Sequence, residues 1–505
     1  MVRPLVILLS SFFWVLSCHA DTATNLGAQK KDHSSTDINW SKSAVQDITR
    51  AHEIIGEGHP GVLDPTDHGF QQWFKQGYDE AIALALRADS EGKALAALRF
   101  YITGYRDGHL VVWKEGQVSE SPRWAGWIVQ RRNGKYRVAA RAPDWPVDVP
   151  EVGDELLSCD GQRIDDLLVE KVAPFVDRRV GLEGSLSRLA LHLTSEPHYE
   201  TLWEPLRLKH CEVRSSSGKI RQFLLKWQPF TEAFQAMTRP AMPRQGIKQL
   251  RQGIHWIHAT DFTLSSSKDI ASFERLMNKV RGLGEADAVV LDIRGNNGGR
   301  TLVGYQVLSA LFKDAIKRTP SSEQVESKAY WRVSATAREA LEAHKTELTQ
   351  TEGPASLTYR LLDTLLSRMN EAASLGQTFI EQMDVPLDEL AEPGRPFAGK
   401  LVLVAGSNCA SACLDFVDMV LSIPGAVHVG SVTSADTRYS DIADVSLPST
   451  AKMWIPLKVW RNRNRGDNEP YVPKFTFDGD LNDTAAVQAW VVNSILPAVK
   501  NVSIK

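Results

Sequence analysis

Three short segments hold side chains that could do chemistry. In Gly406-Ser407-Asn408-Cys409-Ala410-Ser411-Ala412-Cys413, small neighbours surround Ser411 between an apolar run and an apolar helical stretch. A serine with such steric freedom at a helix N-terminus can act as a nucleophile, because the positive helix end favours the anion that forms. Its ordinary role at that position is a helix cap. Asp292-Ile293-Arg294-Gly295-Asn296-Asn297-Gly298-Gly299 follows a nearly continuous apolar run. Its glycines let the backbone turn sharply and present N–H groups to an anion or a developing oxyanion. No Gly-Lys-Ser/Thr follows, so it is not a Walker loop, and the spacing is not that of a dinucleotide fingerprint. Tyr105-Arg106-Asp107-Gly108-His109-Leu110 offers an imidazole able to take a proton near neutral pH. A structural turn histidine is the plain alternative.

Both loops need a scaffold, and the pattern around them is α/β. Residues 254–257 read as a short strand and 267–280 as a helix. Residues 286–293 read as a strand buried on both faces, followed by an apolar helix over 301–312. The pattern resumes with a strand at 400–405, a helix at 411–423 and a strand at 427–432. Asp483 is a good cap for a last amphipathic helix ending near 495. Each loop therefore follows a strand, where ligands bind in such sheets. The expected organisation is a helical region over 41–120 ending in the Asp-Gly-His segment, a β-rich domain over 121–230 and an α/β core over 240–500. Residues 320–395 are charged and helical in pattern, like an insertion in that core.

The loops, in this order, resemble the C-terminal-processing (tail-specific) serine peptidases and their relatives, which include the tricorn core protease and retinoid-binding repeats. That family carries Asp-x-Arg-x-Asn-x-Gly-Gly, matched from Asp292 to Gly299, then a Ser-Ala motif, matched by Ser411-Ala412. Its later Gly and Thr fall on Gly430 and Thr433. The run Val152-Gly153-Asp154-Glu155-Leu156-Leu157-Ser158-Cys159-Asp160-Gly161 resembles a PDZ module, which in this family precedes the catalytic part. The resemblance implies a crotonase/ClpP-like α/β spiral core and a PDZ-like domain that takes extended peptide. One position departs from it. The tail-specific branch places a lysine base 25 residues after the serine, and that residue here is Asp436, with Ser440 where a Gln often follows. The tricorn-like branch uses an upstream histidine instead, and its Asp-Gly-His motif is similar to Asp107-Gly108-His109. That branch implies Ser411 as nucleophile, His109 as base and an acid downstream. Glu469 is the best positional match for the acid, against Asp107, Asp415, Asp436 and Asp480. The N–H groups of Gly298, with Gly299 beside it, and of Ala412 would form the oxyanion hole. The implied activity is an exported serine endopeptidase acting on polypeptide. A degenerate relative that binds peptide or lipid without hydrolysis is the alternative.

Composition sets the outer bounds. The chain has 505 residues, with 58 Lys+Arg against 61 Asp+Glu and a net charge of −3, which disfavours nucleic acid as a partner. Residues 1–20 carry Arg3, an apolar run and small residues before Ala20, the pattern of a signal peptide. A polar linker is expected to follow to about residue 40. Export to the periplasm or the exterior is therefore expected, with lipidation at Cys18 as the alternative to cleavage. No later run is apolar enough to span a membrane. Four cysteines remain, Cys159, Cys211, Cys409 and Cys413, and export permits disulfides among them in any of the possible pairings. No metal-ligand or cofactor motif is recognisable: His52-Glu53 lacks the second His of a zinc protease. No Gly-x-Ser-x-Gly elbow points to an α/β-hydrolase.

Overall fold

The computed structural model describes residues 38–114, 122–197, 201–230, 232, 234, 237, 243–313, 327–383 and 394–503. The expected signal peptide, Cys18 and nearly all of the linker lie outside them.

Three helices open the described chain: Trp40–Gly58, His68–Ala85 and Glu91–Thr103. Each starts where the side chain of Asn39, Asp67 or Ser90 accepts a first-turn backbone N–H, which satisfies one of the donors a helix start leaves unpaired. Ile48, Ile55, Leu98 and Ile102 from these helices are buried in one core with Trp331, Leu362, Met453 and Val459. Of those partners Leu362 comes from helix Leu357–Ser374, and Trp331, Met453 and Val459 come from a second sheet. In it Val111–Trp113 pairs with Lys452–Arg461, which pairs in turn with Lys328–Arg332 and Tyr439–Ser446.

Of the segment expected as an insertion over 320–395, residues 327–383 are described together. Helices Ala335–Thr351 and Leu357–Ser374 are present, but strands Lys328–Arg332 and Phe379–Glu381 stitch the segment into the second sheet. Most of its buried residues share a core with the N-terminal helices, while Leu361 is buried in the α/β core.

Residues 127–224 form an antiparallel sheet in the order Trp127–Arg132, Lys135–Arg141, Glu155–Cys159, His210–Arg214, Ile220–Leu224. A disulfide joins Cys159 to Cys211 at directly paired positions of neighbouring strands. Helix Glu183–Ala190 lies against strand Trp127–Arg132, and its Gly184 touches the loop that carries Ser411: a Cβ there would stand 2.7 Å from the Ser407 carbonyl oxygen.

The α/β core is a six-stranded sheet. Its order is Gly246–Arg251, Ile254–His258, Ala288–Asp292, Lys400–Ala405, Val427–Gly430, Phe475–Thr476. Only the first pair is antiparallel. All five residues of Ala288–Asp292 are buried, as a strand covered on both faces requires. Helices Ser267–Val280, Thr301–Phe312 and Ala412–Leu421 bury one face, while Val487, Val491 and Ile495 near the C-terminus bury the other. The carboxyl ends of Ala288–Asp292 and Lys400–Ala405 therefore lie side by side, and both chemistry-bearing loops leave from that edge.

Candidate active site

Ser411 stands at the junction between the loop after Lys400–Ala405 and helix Ala412–Leu421. Its φ of 55° and ψ of −129° lie in a region that non-glycine residues seldom enter. Although Ser411 occupies the N-cap position, its side chain makes no capping bond, so the ordinary role of a serine there is not the one it plays. The tight geometry is held on both sides. Cys409 N–H donates to the Gly406 carbonyl at 3.1 Å, and Cys413 N–H to that of Ala410 at 3.1 Å. The Ser411 carbonyl accepts Leu414 N–H at 2.8 Å. Cys409 and Cys413 form a disulfide across the serine, with Cα atoms 5.3 Å apart. A backbone held this way, at a cost of about 1–3 kcal/mol, keeps the serine at a fixed place on the rim of the helix.

The glycine loop packs directly onto this turn. Asp292 is buried and accepts from Arg294 Nε at 2.9 Å, Arg294 Nη2 at 2.7 Å and Trp256 Nε1 at 3.0 Å. Burial alone would raise the Asp292 pKa, but the Arg294 bonds and charge, with His258 beside them, pull it down to about 2. The Asp and Arg of the motif thus anchor the loop. Asn296, wholly buried, donates Nδ2–H to the Ala259 carbonyl at 2.8 Å and accepts Gly298 N–H on Oδ1 at 2.8 Å. Gly298 has φ 115°, and a Cβ on it would stand 2.9 Å from Ser411 Cβ and 2.9 Å from the Ala410 carbonyl oxygen. Only glycine lets the two loops come so close. Gly299 pairs with Phe262 and lines the same cleft as Ser411. Of the three expected oxyanion donors, Gly298 has its N–H engaged by Asn296, while Gly299 lines the same cleft as Ser411 and Ala412 directly follows the serine.

His109 reaches the same cleft from the N-terminal region, across about 300 residues of sequence. Its Nδ1 is buried, has no hydrogen-bond partner among the described residues, and lies 4.0 Å from Asp107 Oδ1. Asp107 Oδ1 accepts the His109 backbone N–H at 2.9 Å and Thr437 Oγ1–H at 2.9 Å. Gly108 between them is required by packing, since a Cβ would stand 2.5 Å from Arg179 Nη1. Arg179 is itself locked by Asp177, with Nε 2.9 Å from Oδ1 and Nη2 2.8 Å from Oδ2, and donates to the Ala435 carbonyl at 3.0 Å. Burial pushes the Asp107 carboxyl up, and His59 and His109 more than offset that, leaving it below the usual carboxylate range.

The remaining acids fall as follows. Asp436 lines the cleft but is bound to Arg463 Nη1 at 2.9 Å and Arg465 Nε at 3.2 Å; burial raises its pKa and these cations bring it below the ordinary value. Asp415, on helix Ala412–Leu421, accepts Thr301 Oγ1–H at 2.7 Å and Arg465 Nη2–H at 3.2 Å. Asp480 pairs with Arg132 at 3.0 Å. Glu469, the positional choice, is exposed, accepts Gly466 N–H at 3.0 Å and does not line the cleft. The structure does not bring it to His109. It lies in the loop after the second sheet, where Asn468 rather than Glu469 turns inward, donating to the Arg106 carbonyl at 3.1 Å. Sequence reasoning missed the roles of Asn296, Arg179 and Thr437. Only Asn296 had a signal, its fixed place in the glycine motif.

His109, Arg179, Gly299, Ser411, Asp436 and Asp480 edge a cleft of about 1080 Å³ between the α/β core, the antiparallel sheet and the N-terminal region. That is ample room for an extended peptide segment. Among the described residues no cluster of His, Cys, Asp and Glu could hold a metal ion, and no helix is long and apolar enough to cross a membrane.

Residues 253–470 match the sequence description of peptidase family S41. The chain is similar to the crystal structure of mature CPAF, at 15% identity and a TM-score of 0.61, covering 86% of this chain and 92% of that one. It is similar as well to mature CPAF complexed with lactacystin, at 16% identity and a TM-score of 0.59, covering 86% and 94%. A CPAF mutant matches at 14% identity and a TM-score of 0.60, covering 90% and 96%. At such identities the likeness is one of fold. No curated protein matches the sequence.

Proposed function

We propose that this chain, a serine-type peptidase of family S41, cleaves polypeptide through Ser411, with His109 as general base and Asp107 as the carboxylate that orients it. The observation that carries the reading is the strained Ser411 turn, its side chain uncommitted to capping, packed on Gly298 and opening into the same cleft as His109. In the proposed sequence His109 takes the Ser411 Oγ proton as Oγ attacks the substrate carbonyl. The backbone N–H groups of Gly299 and Ala412 receive the developing oxyanion. His109 then passes its proton to the leaving amine, and water resolves the acyl-enzyme by the same steps in reverse. Asp107 replaces Glu469 in the orienting role because it is buried, ionised and the nearest carboxylate to Nδ1, whereas Glu469 is exposed and bonded to its own loop.

Three further parts belong to the reading. The core is taken as the crotonase/ClpP-like spiral type. The antiparallel sheet is taken as the PDZ-like module, with the Asp160-Gly161 turn joining strands Glu155–Cys159 and Gln162–Arg163 as in such modules. Export is supported by the two disulfides, which persist in oxidising compartments.

The test is a fluorophosphonate probe on the purified chain beside Ser411→Ala and His109→Ala, with unfolded polypeptide as substrate. Labelling of the native chain that disappears in Ser411→Ala, with proteolysis lost in both variants, is expected. An unlabelled native chain that still binds peptide would favour the non-hydrolysing alternative, for which the absent lysine at position 436 is the motive.

A further inference from the structure

Asp107 has a second imidazole behind it, on its other carboxylate oxygen. His59 closes the helix Trp40–Gly58 and is wholly buried. Its Nδ1 accepts the Gly61 N–H at 2.9 Å. A ring nitrogen that accepts carries no proton, so neutral His59 bears its proton on Nε2. That nitrogen stands 3.3 Å from Asp107 Oδ2 and donates to it. Burial lowers the His59 pKa, against the pull of Asp107, and so favours the neutral ring. The ring itself is clamped, stacked on Phe70 at 4.4 Å and edge-on to Tyr439 at 4.8 Å.

The two oxygens of Asp107 therefore have separate duties. Oδ2 is held by His59, from the N-terminal helices. Oδ1 is held by Thr437, from the far end of the chain, and faces His109 Nδ1. We infer that His59 is a positioning residue for the reaction: its Nε2–H fixes the Asp107 carboxylate so that Oδ1 stays turned to His109. The inference rests on Ser411 and His109 being nucleophile and base. The charged and titratable groups around this chain are Asp67 towards His59, Arg179 towards Asp107, and Asp436 towards His109, with the Tyr439 hydroxyl engaged by Asp67 at 3.0 Å. Among the described residues none of them donates to Oδ2 in place of His59.

Two substitutions separate this role from simple packing. His59→Phe keeps the stacked aromatic ring and removes the donor. His59→Gln removes the ring and keeps an N–H near the Nε2 position. If His59 positions Asp107, the Phe variant is folded but slower, and the Gln variant is less stable but faster than Phe. A hydrogen bond to a buried charge implies a loss of about tenfold or more in the Phe variant. The readout is the fluorophosphonate labelling rate of Ser411 in the full chain across pH, with the denaturation midpoint of each variant beside it. The acidic limb of the labelling profile should move in His59→Phe and be largely restored in His59→Gln. A Phe variant with the native rate and profile overturns the inference. So do rates that follow stability alone, with Phe the more active of the two. Should the Phe variant not fold, a Gln variant whose profile departs from the native one as far as its stability falls overturns it as well. An unlabelled native chain would instead sink the underlying Ser411 reading, so the two failures are distinguishable.

Discussion

Replacing Asn296 with alanine tests how the glycine loop is held. The side chain has no solvent exposure and makes two bonds of 2.8 Å, one to the Ala259 carbonyl and one from Gly298 N–H. Asn296→Ala leaves both backbone partners buried and unmet. Each costs about 1–3 kcal/mol, so the loss is roughly 2–6 kcal/mol before any cavity term. Against a typical total of about 5–15 kcal/mol this is severe but survivable. At about 2–4 °C per kcal/mol for a unit of this size, the midpoint should fall by roughly 5–20 °C. The functional effect follows from Gly298, whose backbone abuts Ser411. Once its N–H is released, the loop can shift against the serine, and labelling by fluorophosphonate should slow by about 10²-fold, the size of effect seen when an oxyanion donor is lost. Denaturant unfolding and labelling kinetics on the same preparations decide the matter. A variant within about 1 kcal/mol of native stability that labels at the native rate would refute the clamp. Asn296→Asp sharpens the test. It retains an acceptor for Gly298 but turns a carboxylate towards the Ala259 carbonyl, so it should be no better than alanine.

Removing the disulfide across Ser411 by Cys409→Ala with Cys413→Ala should slow labelling by roughly 10–100-fold, as a small displacement of a reacting group does, while leaving the fold cooperative. Iodoacetamide without reductant should leave activity intact, because both sulfurs are buried and oxidised; clean inactivation by it would end the serine assignment. Ser411→Gly should be more stable than Ser411→Ala by roughly 0.5–2 kcal/mol, since glycine relieves the φ of 55° at a smaller cost in unfolded-chain entropy; unfolding midpoints in the reverse order would contradict the strain. Asp292 has its folded pKa depressed to about 2, so its contribution is present above the ordinary carboxylate pKa and is lost as pH falls through about 2. Of order 2 kcal/mol of stability should therefore disappear between pH 4 and 2. Asp292→Asn should flatten that part of the pH–stability curve.

Much of the core was legible because its strands are apolar throughout. Residues 288–292 and 400–405 are buried at nearly every position, and such runs can be read without knowing their neighbours. The helices at 267–280 and 301–312 showed in the same way. The second sheet was not legible. Its longest strand, Lys452–Arg461, carries Lys458 in its interior, wholly buried against Asp441 and the Trp331 and Trp460 rings. A buried lysine reads as surface until its carboxylate partner, 17 residues away, is known to face it. The same limit governs the site. Ser411 and the glycine loop are local motifs whose residue types state their chemistry. The proposed acid, Asp107, lies only two residues before His109, but residue type and spacing do not single it out from the other carboxylates; its burial and partners in the folded chain do. Spacing after the serine pointed to Glu469, whereas Asp107 is fixed by His59 and Thr437, which lie 48 residues before it and 330 after it.

Asp436 completes this argument, since it holds the position where related dyad enzymes keep a lysine. Restoring that residue tempts the experimenter, but the site is built for the opposite charge. Arg463 and Arg465 both donate to Asp436, and Arg465 also binds Asp415 and Asp418 on helix Ala412–Leu421. Asp436→Lys would bury a third cation against two guanidiniums and strip them of a shared acceptor. Breaking a buried ion pair in this way costs about 3–5 kcal/mol. The expected result is loss of fold stability and of labelling, with no gain of activity at high pH where a lysine base would be neutral. The double change His109→Ala with Asp436→Lys discriminates further: if it hydrolyses peptide, the lysine route is open and the histidine reading is wrong. The Arg463–Arg465–Asp436 network predicts that it does not.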